Sequence, residues 1–463
     1  MTRRGSILWL TTIVLVSTAL LALFLDHRDL ALDPVTPKDV RGLGAWMRDH
    51  PADAIAASTL AAAALDSNVS QRRALWQAAY EQAKLLSPRR RNAAAGFVRA
   101  GLFHWYELDD AERARVLDAA APLMKDGQFF GRMLEPFWSL TRDFAWLRRV
   151  APDTTNALDN LRMLAAKRGL FEHYRDLREA ARRRRMMEAQ SLRPNVRDPN
   201  ELLALVGTEL DAADAPLVSA ILEELDRKAF RPEAVDHRIE RVAALALDLD
   251  LRPLTGLAPL LEVPGRLQDV TRARAALALG NAALASRIEL ASEVPGNPAW
   301  TRYHLERAVL EARRGDAAAA RAHLAQAERI ALTPSVAAAK MNVATILNDS
   351  AAAAAARKDL AALAAQPIAW TSTCGMGEIC GRVYAEIFVA GAGTAIAIPL
   401  TTTESDPTPP YLEIYVDGIL LDEGTVAASR TFEIKPGAGV HRLELRVINP
   451  LTLNGVQRRL RLS

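Results

Sequence analysis

Apolar positions along this chain follow three successive patterns, and each predicts a different kind of element. From Gly5 to Leu25 the run GSILWLTTIVLVSTALLALFL carries no charged residue. About 21 residues at 1.5 Å rise make a helix of roughly 31 Å, long enough to cross a bilayer. From about Gly42 to Ala365, apolar residues recur at three and four, with Pro or Gly breaks every fifteen to thirty residues or so, which predicts many antiparallel helices. Beyond Gln366-Pro367, Thr, Gly, Val and Ile take over. RVYAEIFVAG, TAIAIPLTTT, YLEIYVDGILL, RTFEIKPG, HRLELRVIN and VQRRLRLS then alternate with period two between Gly, Pro, Asn and Asp turns.

These patterns divide the chain into an N-terminal membrane anchor (1–28), a linker built around LDPVTPKDV (29–41), an all-α region (42–366) and an all-β region (367–463). The expected fold class is therefore α+β multidomain, with an N-terminal transmembrane helix. Leu412, Ile414 and Val416 share one face of YLEIYV, and Leu443, Leu445 and Val447 share one face of HRLELRV. Two such faces can close the core of a β-sandwich of about 95 residues. Asp417-Gly418 predicts a hairpin turn.

Glu311 to Leu332, EARRGDAAAARAHLAQAERIAL, gives the helical region its character. A helix, an Arg-Gly-Asp turn, a second helix and then Thr333-Pro334 form a hairpin of about 34 residues. With Thr301 to Pro334 as the unit, it resembles a tetratricopeptide repeat, in which Ala308, Gly315, Ala320, Leu324 and Ala327 would be the small and packing positions. His304 and Arg307 stand where that family usually has aromatic and aliphatic residues. LRMLAAKRGLFEHYRDLREAA, Leu161 to Ala181, is a second copy with Gly169 at its turn and Tyr174 in place of the small residue. ALALGNAALASRIELASE, from Ala276, is a third. The resemblance implies a helical solenoid with a binding groove. The β region, through its YVDG turn and the strand after it, resembles immunoglobulin-like or jelly-roll modules, some of which bind carbohydrate.

Arg3 and Arg4 precede the apolar run, so positive charge would keep the N-terminus cytoplasmic and place the bulk in the periplasm. A cleaved export signal would have a shorter apolar region and an A-x-A-like site, which does not occur before Asp26. The net charge of +3 comes from 58 basic and 55 acidic residues interleaved along the chain. That balance excludes the electrostatic footprint of a nucleic-acid binder. The two cysteines, Cys374 and Cys380 in WTSTCGMGEICGR, predict a disulfide in an oxidising compartment. Two thiols with no nearby His are too few for a metal site.

Candidate chemistry is sparse. There is no Gly-rich phosphate loop, no H-E-x-x-H and no G-x-S-x-G, and the eight histidines are scattered, so no catalytic group, metal site or cofactor is expected. Asp109-Asp110 reads as a helix cap. His104, Trp105 and Tyr106 could line a sugar site by stacking or simply pack between hairpins. Phe137, Trp138, Phe144 and Trp146 form the densest aromatic window, and Arg142, Arg148 and Arg149 lie beside it. Core packing explains most of that window, yet Trp and Arg in a groove also suit an acidic glycan or a peptide. Arg182 to Arg185 read as a solvated helix face.

The leading expectation is a single-pass inner-membrane protein serving as a periplasmic scaffold. It would bind envelope proteins, and also polysaccharide, through its helical groove, in envelope polysaccharide assembly or export. The alternative is a polysaccharide lyase or hydrolase with an α/α toroid, in which His104, Tyr106 and Arg142 would act and Tyr106 would transfer the proton.

Overall fold

Many helices of this protein begin where the sequence supplies a short carboxylate, amide or hydroxyl. Asp39, Asp53, Asp109, Asp126, Asp143, Asp236, Asn281, Asp316, Thr333 and Asp349 each cap the first turn of a helix through the side chain. Such caps satisfy amide donors that the helix itself leaves unpaired. The computed structural model describes residues 39–87, 91–196, 198–207, 210–228, 236–293, 297–371, 378–379, 381–402, 408–451 and 458–462. Gly5 to Leu25, the linker up to residue 38, and Cys374 and Cys380 lie outside the described residues. Among the described residues nineteen α-helices precede eight strands, and no helix is long and apolar enough to cross a membrane.

By its internal contacts the chain falls into two units, one ending at Leu164 and the other running from Ala165. The division lies inside helix Thr155–Lys167 and not at the change of composition near Gln366. In the first unit Trp76, Phe97, Phe130 and Phe137 are fully buried, with Trp76 stacked on Phe97 at 4.1 Å and Tyr80 on the same ring at 4.0 Å.

The second unit contains three helical hairpins in tandem. Asp269–Ala278 pairs with Ala282–Ser292, Thr301–Arg313 with Ala317–Ile330, and Pro334–Ile346 with Ser350–Ala364. Their turns are alike. Gly280, Gly315 and Asn348 adopt φ of 79°, 83° and 58°, and the residue after each donates its amide five positions back, Asn281 to Ala276, Asp316 to Glu311 and Asp349 to Ala344. That bond closes a Schellman-type end, and the same residue then caps the next helix. The turns recur at roughly 34 residues, the spacing of a two-helix repeat. Ala308, Ala320 and Ala327 are fully buried in the middle hairpin.

The strands are β1 (Glu378–Ile379), β2 (Arg382–Val389), β3 (Ile396–Thr402), β4 (Tyr411–Val416), β5 (Ile419–Thr425), β6 (Ser429–Ile434), β7 (Gly439–Val447) and β8 (Leu460–Leu462). They form two antiparallel four-stranded sheets, ordered β1-β8-β3-β6 and β2-β7-β4-β5. Asp417 and Gly418 make the β4–β5 turn, both with positive φ, as a two-residue hairpin of this composition requires. Leu412, Ile414, Leu443 and Leu445 of one sheet share a core with Ile398, Leu400, Phe432 and Leu460 of the other.

The opposite face of the second sheet is also covered. All six residues of β4 are buried, including Tyr411, Glu413 and Tyr415, which alternate away from the shared core. Phe171 stacks on Tyr411 at 4.4 Å, and the Tyr174 hydroxyl donates to Glu413 Oε1 at 2.9 Å. Further along, Ala212 donates its amide to Gly418 O, Arg442 reaches Asp248 at 3.4 Å, and the Ser335 amide donates to Glu386 of β2 at 3.2 Å. The chain's own sheet thus occupies helical surface at four separated points between Phe171 and Ser335. The Tyr174 ring also meets Tyr411 edge-on at 5.9 Å, so ring and hydroxyl both face this sheet.

Candidate functional site

The first candidate lies at the end of helix Arg91–Phe103. The helix stops at His104, and Trp105–Glu107 forms a 3-10 turn before the next helix, Asp110–Met124. Asp109 and Glu112 make a reciprocal capping box at that helix start: the Glu112 amide donates to Asp109 Oδ1 at 2.8 Å, and the Asp109 amide to Glu112 Oε2 at 3.0 Å. The acidic pair at 109–110 therefore begins a helix, as its sequence suggests.

The turn sorts its three aromatic residues. Trp105 points inward, 6% exposed, with the Arg113 guanidinium 5.7 Å from its ring and Arg113 Nε donating to its carbonyl at 3.1 Å. Tyr106 points outward, 65% exposed, and so does Phe103, at 56%. His104, between them in the sequence, is held by two carboxylates, Nε2 at 2.8 Å from Asp66 Oδ1 and Nδ1 at 2.9 Å from Glu107 Oε1. Arg72 donates to Glu107 Oε2 at 2.6 Å. The hydrogen bond from His104, aided by the charges of His104, Arg72 and Arg73, holds the Glu107 carboxyl below its ordinary pKa. An outward aromatic ring can take the apolar face of a sugar.

The second aromatic window resolves differently. Helix Gly127–Thr141 ends at Arg142, whose φ of 53° turns the chain into helix Phe144–Val150. Phe137 packs on Trp146 at 5.1 Å and Trp138 meets Phe144 edge-on at 6.2 Å. Phe137, Trp138, Phe144 and Trp146 are all buried, so these rings fill the junction of two helices. Arg142, Arg148 and Arg149 are exposed, with the Arg142 guanidinium 5.7 Å from the Trp138 ring.

A third cluster was invisible in the sequence. Glu289 on helix Ala282–Ser292, His304 on Thr301–Arg313 and His323 on Ala317–Ile330 converge. His304 is fully buried; its Nε2 lies 2.8 Å from Glu293 Oε1, and its Nδ1 lies 3.3 Å from His323 Nδ1. The Tyr303 hydroxyl donates to Glu289 Oε2 at 2.7 Å. Burial, and then Glu289, push the Tyr303 phenol up, while burial holds the His323 imidazole below its ordinary value against the pull of Glu289.

The fourth polar cluster fastens helix Phe171–Leu192 to the sheet. Arg178 donates to Glu413 and, at 2.9 and 3.1 Å, to both carboxylate oxygens of Glu423; Tyr415 donates to Glu413 Oε2 at 2.7 Å. Arg182 pairs with Asp211 at 2.7 Å and Asp214 at 3.4 Å, so arginines of the basic run are drawn into structure. Burial opposes the charge on Arg178, yet Glu423 and Glu413 raise its pKa overall.

No protein-family model matches the chain, and no curated protein matches it.

Proposed function

We propose that this chain is a non-catalytic binding scaffold. Gly5 to Leu25 tether it to the cytoplasmic membrane, and the bulk stands in the periplasm, where it holds envelope proteins and a saccharide chain during polysaccharide assembly or export. In this reading the tandem hairpins are tetratricopeptide-like and the two sheets are a β-sandwich.

One observation carries the saccharide part: Phe103 and Tyr106, which flank His104 in the sequence, are both exposed, and Asp66 and Glu107 hold the His104 ring. Sugar rings stack on exposed aromatic faces. The exposed Arg142, Arg148 and Arg149 suit an acidic polymer or an acidic protein partner.

Affinity electrophoresis of the purified protein in gels cast with acidic and neutral envelope polysaccharides tests this. The wild type should be retarded, and Phe103→Ala and Tyr106→Ala should each lose most of the retardation. Migration indifferent to every polymer, or unchanged by both substitutions, rejects the saccharide site. A polymer that shortens during incubation would make the protein an enzyme. Crosslinked capture from its own membranes, with no envelope protein enriched, would remove the scaffold.

A further inference from the structure

Three donor atoms from three consecutive helices form a triangle. His304 Nδ1 and His323 Nδ1 are 3.3 Å apart, His304 Nδ1 and Glu289 Oε1 are 3.7 Å apart, and His323 Nδ1 and Glu289 Oε1 are 3.8 Å apart. The point equidistant from all three lies about 2.1 Å from each, the length of a zinc bond to imidazole nitrogen or carboxylate oxygen. Direct N–H bonds are usually shorter than the 3.3 Å between the two ring nitrogens.

The remaining atoms of the same groups are engaged as metal ligands usually are. His304 Nε2 faces Glu293 Oε1 at 2.8 Å. A proton held there leaves the lone pair on Nδ1, the atom that faces the triangle, and a carboxylate behind an imidazole also raises its basicity. Tyr303 occupies Glu289 Oε2 at 2.7 Å and leaves Oε1 for the triangle. The nearby cation Arg307 is paired with Glu311 at 2.7 Å. Burial is graded across the set: the His304 side chain is fully enclosed, whereas those of Glu289 and His323 keep 15% and 18% of their surface.

We propose that Glu289, His304 and His323 bind a divalent transition metal of the zinc class, with Glu293 and Tyr303 orienting the ligands and a fourth coordination position on the side of Glu289 and His323. Two imidazoles and one carboxylate are a donor set that leaves such a position to water or an incoming group. Because the ligands come from three helices, the metal also ties two neighbouring hairpins together. The sequence does not announce the site, since its ligands are 15 and 19 positions apart and meet only through hairpin packing.

The test uses untagged full-length protein, stripped with a chelator and titrated with zinc against a chromophoric competitor, with retained metal counted by mass spectrometry. Wild type should keep one equivalent more than His323→Ala and Glu289→Gln, and zinc should raise its melting temperature but not theirs. Glu293→Gln should weaken zinc binding by about 10- to 100-fold, as loss of an orienting partner does. Glu289→Gln is close to isosteric and serves as the reading if His323→Ala fails to fold. A wild type that holds no more zinc than folded Glu289→Gln, with no thermal shift, overturns the proposal.

Discussion

Arg178 and Glu413 are 235 positions apart in sequence and form an ion pair at the junction of helix Phe171–Leu192 with strand β4, where the Glu413 side chain is 1% exposed. Glu413 also accepts from Tyr174 and Tyr415, and Arg178 also holds Glu423, so each charge has more than one partner. Removal of Arg178 would leave Glu413 charged and enclosed. Arg178→Ala should therefore destabilise the second unit by about 3–5 kcal/mol, the usual cost of breaking a buried pair from one side. Differential scanning calorimetry should show one transition falling in temperature. Replacement of both residues, Arg178→Met with Glu413→Leu, should recover part of the loss, and equal melting of wild type and Arg178→Ala would refute the account.

Asp126 caps helix Gly127–Thr141 by accepting from Phe129 N at 3.1 Å and Gln128 N at 3.0 Å, and Arg91 reaches it at 2.8 Å. The amide of Phe129, with those of its neighbours, holds the carboxyl below its ordinary pKa. A depressed folded value means that the stabilisation is fully present above the unfolded pKa, near 3.9. It is lost as pH falls through the folded value. Asp126→Ala should cost about 1 kcal/mol at neutral pH. The difference from wild type should shrink as thermal melts are taken from pH 6 toward strong acid; a difference that stays constant across that range would remove the electrostatic part of the argument.

A side chain at Gly256 has nowhere to go. A Cβ built there would lie 2.4 Å from the Leu222 carbonyl oxygen and 2.8 Å from the Asp226 amide nitrogen, both backbone atoms of the adjoining helix. Gly256→Ala should destabilise by on the order of 1–3 kcal/mol, as overpacking does. The same added carbon at Gly44, inside helix Val40–Asp49, meets nothing within 4 Å. Gly44→Ala should stabilise by about 0.5–1 kcal/mol through the unfolded state. Opposite shifts in thermal melts are the expected result.

Gly315 isolates backbone conformation from space, because its φ is 83° and nothing lies within 4 Å of an added Cβ. Gly315→Val should cost at least about 1–2 kcal/mol from the left-handed penalty. Gly315→Asn should cost much less, since Asn348 holds the equivalent turn at φ 58°. Equal losses for Val and Asn would mean that the turns are not equivalent.

Local chemistry made much of the architecture legible. Gly315 between two alanine-rich helices predicted the hairpin, Asp417-Gly418 predicted the β4–β5 turn, and alternation at Leu412, Ile414 and Val416 identified the face that is buried in the shared core. The sequence singled out no hairpin unit at Pro334–Ala364, whose turn uses Asn348 where the other two use glycine. What covers Tyr411, Glu413 and Tyr415 could not be read either: period two assigns residues to a common face and says nothing about a helix more than 200 positions away. At the candidate sites, His104 and Tyr106 could be named from their own turn, whereas nothing in the pattern marked the outward Phe103. Glu289, His304 and His323 required the register of three helices, which composition does not encode.

Ribosomes deliver helix Phe171–Leu192 long before the strand that covers it. At ordinary elongation rates the 235 residues between Arg178 and Glu413 take roughly 10 to 50 s to appear. For that interval Tyr174, Arg178 and Phe171 face solvent, as a temporarily adhesive surface with no mate. A nascent chain halted near Gln366 would keep every helix and still present that surface permanently, so quality control that removes unfinished copies of this protein has a marker it can read without inspecting the missing strands.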